Sequence, residues 1–219
     1  MENNNALTTQ KQQFEIMAMP EEASEQLNGI KLVFPQLKMP AAGQTFFEID
    51  ETPVKEFFGV VVSHGPSHVY FENDYTGDSM PPDCSSKDGI TGYKRLTTEL
   101  DDEQEYEACS CAECPFNEFG SGKNGGKACK EKHQMYVLPS NSLIPYSLLL
   151  PVSSTKILNT YATKLFAKGK YLNQVVTAFS LEKTTNKSGI VYSRIVLKYV
   201  RDLTPEEYAQ TNKLAEATK

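Results

Sequence analysis

The sequence lacks the features that would place it in a membrane or outside the cell. No stretch approaches the roughly 20 consecutive apolar residues that a membrane-spanning helix needs. The first residues, MENNNALTTQ, have neither the basic start nor the apolar run of a secretory signal. Tryptophan is also absent, so Phe and Tyr supply all the aromatic side chains. We therefore expect a cytoplasmic protein without a membrane partner.

The common catalytic motifs are missing as well. The Gly-rich run GSGKNGGK lacks the Gly-x-x-x-x-Gly-Lys-Ser/Thr order of a phosphate-binding loop. No serine nucleophile elbow is present. The His-x-Glu that zinc deaminases combine with a Cys-x-x-Cys is absent too. We predict from these absences that the protein is not an enzyme.

The charged residues are strongly segregated along the chain. The net charge is −6, which alone argues against a nucleic-acid partner. Between Gly120 and Arg201, however, 13 Lys and Arg residues stand against two acids, so this segment carries +11 and the remainder −17. Such separation produces a strong local field that the overall charge conceals. The basic segment is therefore a candidate surface for an anionic partner.

The pattern of apolar residues predicts a mainly β protein of the α+β class. Residues 55–64 and 68–72 are strand-like, with Gly65-Pro66 as a turn between them. Helical spacing begins at Ser153 or Ser154 and stops at Gly169, and an alternating hairpin follows it. Three strands, one helix and two strands is the order of an OB-fold. We predict an OB-like five-stranded barrel with one helix between strands 3 and 4.

The predicted domain has two flanking segments and one insertion. Residues 1–28 form a polar arm that we expect to be disordered, and residues 29–202 form the OB-like domain. Thr204 and Pro205 start a short C-terminal helix within residues 203–219. Residues 73–132 show no period of 2 or 3.6, and a structureless loop of this length is improbable unless something fixes it. We interpret them as an inserted zinc-binding subdomain.

Cysteine clustering supports that interpretation. Cys111-Ala-Glu-Cys114 is a knuckle that places two sulfurs on one metal, and Cys129 follows after a Gly-rich loop. Cys84, between turn-forming residues, is the first choice for the fourth ligand. Cys109, only two residues before the knuckle, and His133 are the alternatives. Four thiolates in a closed tetrahedron predict a structural Zn²⁺ rather than a catalytic one.

Basic and aromatic residues interleave in the positive half of the chain. Binding a single strand requires a basic track and flat aromatic platforms. On the last hairpin, Tyr192, Arg194 and Lys198 share one side, opposite the apolar Val191 and Ile195. The full set of DNA-binding candidates is Lys123, Lys127, Lys130, Lys132, Tyr136, Tyr192, Arg194 and Lys198.

Several segments also carry a family resemblance: TGDSMPPDCSSKDGITG, CAECPFNEFGSGKNGGKACK, YVLPSNSLIPYSLLLPVSS and VVTAFSLEKTTNKSGIVYS. Across roughly residues 30–205 the chain resembles small phage and mobile-element proteins found among replication and recombination genes. It is more distantly similar to the zinc-bearing helix-destabilising proteins of tailed phages. The resemblance implies an OB barrel, zinc ligands Cys84, Cys111, Cys114 and Cys129, single-stranded DNA as partner, and a bacterial host cytoplasm. The mixed C-terminal segment departs from the acidic tail of those proteins.

Two functions follow as expectations. The first is a zinc-stabilised single-stranded DNA-binding protein of phage or mobile-element replication or recombination, with replication or recombination proteins and a second copy of itself as further partners. The second is a phage-encoded protein-interaction module, an inhibitor of a host defence or polymerase, in which zinc only supports a recognition surface.

Overall fold

The computed structural model describes residues 14–17, 30, 33–40, 43–73, 81–96, 105–186 and 189–218. They form a mainly β structure of the α+β class with two α-helices among the described residues. The described strands are β1 (Phe47–Ile49), β2 (Thr52–Val54), β3 (Glu56–Tyr70), β4 (Cys84–Ser86), β5 (Thr91–Arg95), β6 (Tyr106–Ser110), β7 (Lys130–Pro139), β8 (Tyr146–Pro151), β9 (Val175–Thr185) and β10 (Val191–Asp202). The helices are α1 (Val152–Phe166) and α2 (Pro205–Ala217), and short 3₁₀ turns cover Pro115–Asn117, Lys123–Gly125 and Leu172–Gln174.

One antiparallel sheet of eight described strands is organised around β3. This 15-residue strand pairs with β9 at its start, with β7 over most of its length and with β4 at its end. One arm of the sheet runs β8-β7-β3-β9-β10, and the other runs β3-β4-β5-β6. Within the described residues β8 and β10 do not pair, so the sheet is open. The mainly β prediction is confirmed, whereas closure into a five-stranded barrel is not.

The predicted turn at Gly65-Pro66 is wrong, because β3 continues straight through it. Pro66 pairs in register with His133 of β7. On its other side, β3 pairs with β9 only over residues 56–59 and with β4 only over 68–70. A proline is tolerated where one side of a strand has no partner, since no ladder hydrogen bond is lost there. Pairing on one side thus overrides the local turn signal.

The predicted helix and the hairpin after it are confirmed. Helix α1 begins after Pro151, and Gly169, with φ +71°, ends it in the left-handed conformation that glycine favours. The predicted serine cap is wrong: Ser154 is buried and its Oγ accepts a hydrogen bond from the Ile195 N–H of β10 at 3.4 Å. β9 and β10 form the predicted hairpin.

The C-terminal helix α2 starts as the sequence predicts. Thr204 Oγ1 accepts a hydrogen bond from the Glu207 N–H at 3.2 Å, and the Thr204 N–H donates to the Glu207 carboxylate at 2.9 Å. This reciprocal pair is a capping box. Among the described residues, neither helix has the length and apolar character needed to cross a bilayer.

The main core fills the space between the curved sheet and α1. Phe57 of β3 stacks on Phe179 of β9, with ring centroids 4.8 Å apart and an interplanar angle of 2°. Leu158 and Leu165 of α1 pack onto the same cluster as Ile195 of β10. The alternation that predicted the hairpin therefore marks its buried side. This core fixes α1 beside β10, where two clefts described below are formed.

Part of the predicted disordered arm is ordered. Phe14 is only 4% exposed and packs with Val60 and Val176 on the sheet side opposite α1. The Glu15 N–H donates to Ser140 Oγ at 3.1 Å, and Arg201 lies over the Phe14 ring. The rest of the arm, apart from residues 14–17, lies outside the described residues.

The predicted insertion also contains regular structure. Residues 73–132 include β4, β5 and β6, which form an antiparallel meander joined to the main sheet through the pairing of β4 with β3. These strands have three to five residues, too short for a period of 2 to stand out. Residues 74–80 and 97–104 of the insertion lie outside the described part.

Residues 33–40, which we call the strap, lie in the opening between β8 and β10. The Leu37 N–H donates to the Ser147 carbonyl of β8 at 2.9 Å, and the Ser147 N–H donates to the Pro35 carbonyl at 2.8 Å. At the other side, Ser193 Oγ of β10 donates to the Pro40 carbonyl at 2.9 Å. The strap thus bridges the two strands whose direct pairing would close the sheet.

Leu37 anchors the strap, and its truncation tests that role. The side chain is 2% exposed and belongs to the main core. We expect Leu37→Ala to lower the free energy of unfolding by about 3 kcal/mol, because a buried leucine leaves a cavity. Val33→Ala is the matched control, since Val33 is 85% exposed. Urea unfolding of both variants measures the difference, and equal effects would contradict the anchoring role.

Candidate metal centre and nucleic-acid interface

The meander brings all five cysteines of the chain to one cavity of about 560 Å³. Cys84 begins β4, and Cys109 lies on β6 opposite Gly92 of β5. Cys111 follows β6 directly, Cys114 precedes the 3₁₀ turn, and Cys129 precedes β7. Three short strands and two turns thus converge on one point, which explains why a patternless segment still has a defined structure.

Gly92 makes room for this convergence. A Cβ at this position would lie 2.9 Å from Cys109 Sγ, 3.1 Å from Cys84 Sγ and 3.5 Å from Cys111 Sγ. Any larger residue would displace at least one sulfur. The sequence gives no direct signal for this role, since Thr-Gly also suits an ordinary turn.

The knuckle is held by backbone hydrogen bonds and one amide side chain. Asn117 Nδ2 donates to the Cys111 carbonyl at 2.8 Å, and the Asn117 N–H donates to the Cys114 carbonyl at 2.9 Å. The Cys129 N–H donates to the Phe116 carbonyl at 2.8 Å, which ties the third predicted ligand to the turn after the knuckle. The Phe116 ring stacks on Tyr70 of β3 with centroids 4.3 Å apart. The two Cys-bearing segments are therefore fixed relative to the sheet.

Burial raises the pKa of three of the thiols, Cys84, Cys111 and Cys129. It raises the pKa of Cys84 to about 12, with the neighbouring Cys109 as the second cause. Burial, followed by the proximity of Cys114, raises the pKa of Cys129 to about 11. Clustered thiolates repel one another, and a divalent cation removes that repulsion while stabilising the deprotonated sulfurs. Metal binding at this site would therefore release protons.

The thiols are neighbours without forming a finished coordination shell. In the part of the chain that the structure describes, no three His, Cys, Asp or Glu side chains are arranged to hold a metal ion. Cys84 Sγ and Cys109 Sγ nevertheless lie 4.0 Å apart. A tetrahedral site with Zn–S bonds of about 2.3 Å has sulfurs about 3.8 Å apart. Side-chain rotation of the remaining cysteines is needed to complete the shell, and the ligand set Cys84, Cys111, Cys114 and Cys129 stays a prediction.

The two alternative ligands have different surroundings. His133 is not at the cysteine cavity: its Nε2 lies 3.0 Å from Nδ1 of His64, on the long β3–β7 pair. Cys109 lies within the cluster, as the sulfur next to Cys84. His68 also lines the cavity, and its buried Nδ1 has no hydrogen-bond partner among the described residues. Five thiols and one imidazole thus border the cavity.

Three of the predicted DNA-binding lysines lie on the loop around the cysteines. Lys127 Nζ donates to Asn117 Oδ1 at 3.1 Å and forms an ion pair with Glu131. Lys130 Nζ donates to the Lys127 carbonyl at 2.7 Å. Lys123 lies at the second 3₁₀ turn of the loop. Lys127 and Lys130 therefore hold the Cys129 loop in place, and the positive charge of Lys127 is largely neutralised.

Two further candidates are also engaged within the protein. Tyr136 packs edge-on against Phe34 of the strap, with centroids 5.2 Å apart. Arg194 forms an ion pair with Glu182 on the neighbouring strand at 2.7 Å. The structure offers no flat, open platform at Tyr136 and no free cation at Arg194.

Lys132 and Tyr192 are brought together in a groove of about 860 Å³ beside the strap, which we call the strap groove. Lys132 comes from β7, Tyr192 from the start of β10 and Lys38 from the strap itself. None of the described residues that line the groove is acidic. Lys132 is half-buried, forms no hydrogen bond or ion pair within the described residues, and burial lowers its pKa. A half-buried, unpaired amine in an acid-free groove is arranged to accept an anion.

The last candidate, Lys198, lies six residues from Tyr192 on β10 and borders a separate cleft beside α1. The eight predicted residues therefore fall into five groups: the cysteine loop, the strap contact of Tyr136, the ion pair of Arg194 with Glu182, the strap groove and the α1 cleft.

Comparison of the chain with family models, curated proteins and solved structures finds no match in any of the three. The fold and the sites define the class: an antiparallel β protein with a cysteine-rich meander and a basic groove at the open side of its sheet.

Proposed function

We propose that this protein binds single-stranded DNA in the strap groove and that a structural Zn²⁺ holds the cysteine meander. The strand path β8-β7-β3-β9-β10, with α1 between β8 and β9, has the pairing order of an OB-fold whose last contact is replaced by the strap. OB-folds bind oligonucleotides on their second and third strands, next to the hairpin of the fourth and fifth. By this correspondence those elements are β7, β8 and the β9–β10 hairpin.

The observation that carries the proposal is that Lys132 and Tyr192 both line the strap groove. Residues of β7, β8 and the β9–β10 hairpin line this groove together. Lys132 supplies an unpaired positive charge, and Tyr192 supplies a ring on which a base stacks. These are the two components of sequence-independent strand binding. A role in phage or mobile-element DNA replication or recombination follows from the family resemblance.

The zinc in this proposal has no catalytic part. Four thiolates of the five-cysteine cluster would hold the ion, and a shell filled by thiolates would leave no position for an activated water. The ion joins β4, β6, the knuckle and the start of β7, so it would orient the Cys129 loop next to the strand that carries Lys132. Its contribution to DNA binding is therefore indirect.

Titration of a labelled oligo-dT with the protein over a range of salt concentrations tests the function. We expect the logarithm of the affinity to fall linearly with the logarithm of salt concentration, with a slope of about −0.7 per neutralised phosphate. A control titration with duplex of the same length should give weaker binding. Absence of oligo-dT binding at low salt would contradict the proposal.

A second function has one observation in its favour. The meander and the cysteine loop that follows it expose several apolar side chains, among them Ile90 (71%), Tyr93 (51%) and Phe119 (83%). Exposed apolar clusters are typical of protein-interaction surfaces, as expected for an inhibitor of a host defence or polymerase. Under this alternative, a discrete protein partner binds the meander and oligo-dT does not bind the strap groove.

A further inference from the structure

A cleft of about 490 Å³ lies between α1 and β10, which is an edge strand of the sheet. Its floor is apolar and includes Leu165 and Leu197. Its rim carries Lys164 from the helix, Lys168 from the turn that follows the helix and Lys198 from the strand. We call this feature the lysine cleft.

Three of the rim lysines carry uncompensated charge. No carboxylate among the described residues pairs with Lys164, Lys168 or Lys198. A fourth, Lys170, is neutralised by Asp202 at 2.7 Å and also donates to the Tyr199 hydroxyl at 3.1 Å. No described lining residue of the cleft is acidic. The cleft is therefore a focus of positive charge in a molecule whose net charge is −6.

The helix end alone does not explain this cluster. Cations near a helix C-terminus interact favourably with its dipole, which accounts for Lys164 in the last turn of α1 and for Lys168 just after it. It does not account for Lys198, which approaches the same cleft from β10. Nor does it account for Tyr199, a ring 44% exposed on the same rim. Lysines interleaved with an exposed aromatic ring are the arrangement that single strands recognise.

The lysine cleft and the strap groove share one strand. Tyr192 borders the groove and Lys198 borders the cleft, and both occupy the same side of β10 because they are six residues apart. At about 3.3 Å per residue the two are roughly 20 Å apart. A stacked strand rising about 3.4 Å per nucleotide covers this distance with about six nucleotides. Such a length agrees with site sizes of about 4–16 nucleotides per OB-fold.

We propose that the lysine cleft holds the phosphodiester backbone of the same single strand after it leaves the strap groove. The inference rests on the proposed function, because it extends that binding site along β10. An acidic peptide is the other ligand with suitable charge, but a separate peptide site would not need to lie in line with the strap groove.

Oligonucleotides of two lengths test the proposal with the Lys164→Ala, Lys168→Ala double variant. For an oligo-dT of about 20 nucleotides, we expect about tenfold weaker binding and a salt slope less steep by about 1.4, since two phosphate contacts are lost. For an oligo-dT of about four nucleotides, which is too short to span both sites, the affinity should stay unchanged. The charge-matched control is Lys156→Ala, Lys213→Ala, on exposed positions of α1 and α2 outside both clefts.

The outcomes separate this inference from the proposed function. If wild-type protein binds neither oligonucleotide, both are wrong. If it binds both but the double variant behaves like its control, or weakens both lengths equally, the strap groove remains and the extended path is wrong. Loss of oligoglutamate binding by the double variant, with oligo-dT affinity unchanged, would assign the cleft to an acidic peptide and likewise overturn the inference. Thermal melts check that the exposed substitutions leave the fold intact.

Discussion

Protein carrying Cys111→Ser and Cys114→Ser together is expected to purify without zinc and to unfold at a much lower temperature than the wild type. The knuckle joins β6 to the turn that holds Cys129, so loss of the metal releases both ends of the meander. Loss of a structural metal is among the few changes that cost more than about 4 kcal/mol. For a chain of this size, that lowers the unfolding midpoint by about 10 °C. Metal analysis and calorimetry provide the two measurements.

Single substitutions at Cys84 and Cys109 identify the fourth ligand. The predicted set requires Cys84→Ser to lose zinc and Cys109→Ser to keep it. The reverse result would make Cys109 the ligand, which the 4.0 Å distance between the two sulfurs makes geometrically reasonable. Wild-type protein without zinc, and with equal unfolding midpoints in the presence and absence of chelator, would contradict a structural metal altogether.

A glycine pair separates loss of metal from general damage to the sheet. Gly92→Ala places a Cβ within 3.1 Å of two sulfurs, so we expect weaker retention of zinc against a competing chelator. Gly65→Ala on β3 is the matched control, because no atom lies within 4 Å of the added Cβ. Both residues lie in strands, so the intrinsic effect of alanine on strand formation is shared.

The position of Cys109 beside the other cysteines depends on strand geometry. Two residues before a knuckle is an awkward spacing for a third ligand, so the sequence favours Cys84 over Cys109. In a β-strand, however, residues two apart lie on the same side. Because Cys109 is on β6 and Cys111 follows that strand directly, both sulfurs approach Gly92. The spacing Cys109-Ser-Cys111 agrees with the alternation of a strand. A strand of five residues is, however, too short for a period of 2 to stand out in the sequence.

Long-range pairing accounts for the other differences. The segments with strong local patterns, α1 and the β9–β10 hairpin, follow the prediction because helix spacing and alternation are read over a dozen residues or more. The continuity of β3 through Pro66 depends on β7, which is more than 60 residues away. The strap likewise depends on Ser147 and Ser193, neither of which is near it in sequence.

The basic residues divide according to whether an acid lies within reach. Composition alone gives the segment from Gly120 to Arg201 a charge of +11, but it does not show which charges are compensated. Glu131 forms an ion pair with Lys127, and Glu182 forms an ion pair with Arg194. These are the only two acidic residues in that segment, and each pairs with a basic residue of the same segment. Lys132 and Lys198 have no acidic partner among the described residues, and they border the strap groove and the lysine cleft respectively.

Replacing both Lys132 and Tyr192 by alanine is expected to weaken oligo-dT binding by about 10- to 100-fold, because one phosphate contact and one stacked base are lost. The stacked base alone contributes about 1–3 kcal/mol to the free energy of binding. The two single variants should differ in how their affinity depends on salt concentration. Lys132→Ala reduces the steepness of the salt dependence by about 0.7, whereas Tyr192→Ala weakens binding at every salt concentration without changing the slope. Tyr192→Phe keeps the ring and should bind as the wild type does. Lys156→Ala is the cationic control, since Lys156 is exposed on α1 and borders neither the strap groove nor the lysine cleft.

The pH dependence of binding provides an independent check on Lys132. Burial, followed by the charge of Lys130, lowers the pKa of Lys132 from its usual value of 10.5. The amine binds a phosphate only while it is protonated. The contribution of Lys132 to the affinity is therefore fully present below that lowered pKa and is lost as the pH rises through it. In the Lys132→Ala variant this part of the pH dependence should disappear, leaving only the loss at higher pH from lysines in open solvent. Identical pH profiles for the two proteins would place the phosphate elsewhere and contradict the assignment of the strap groove.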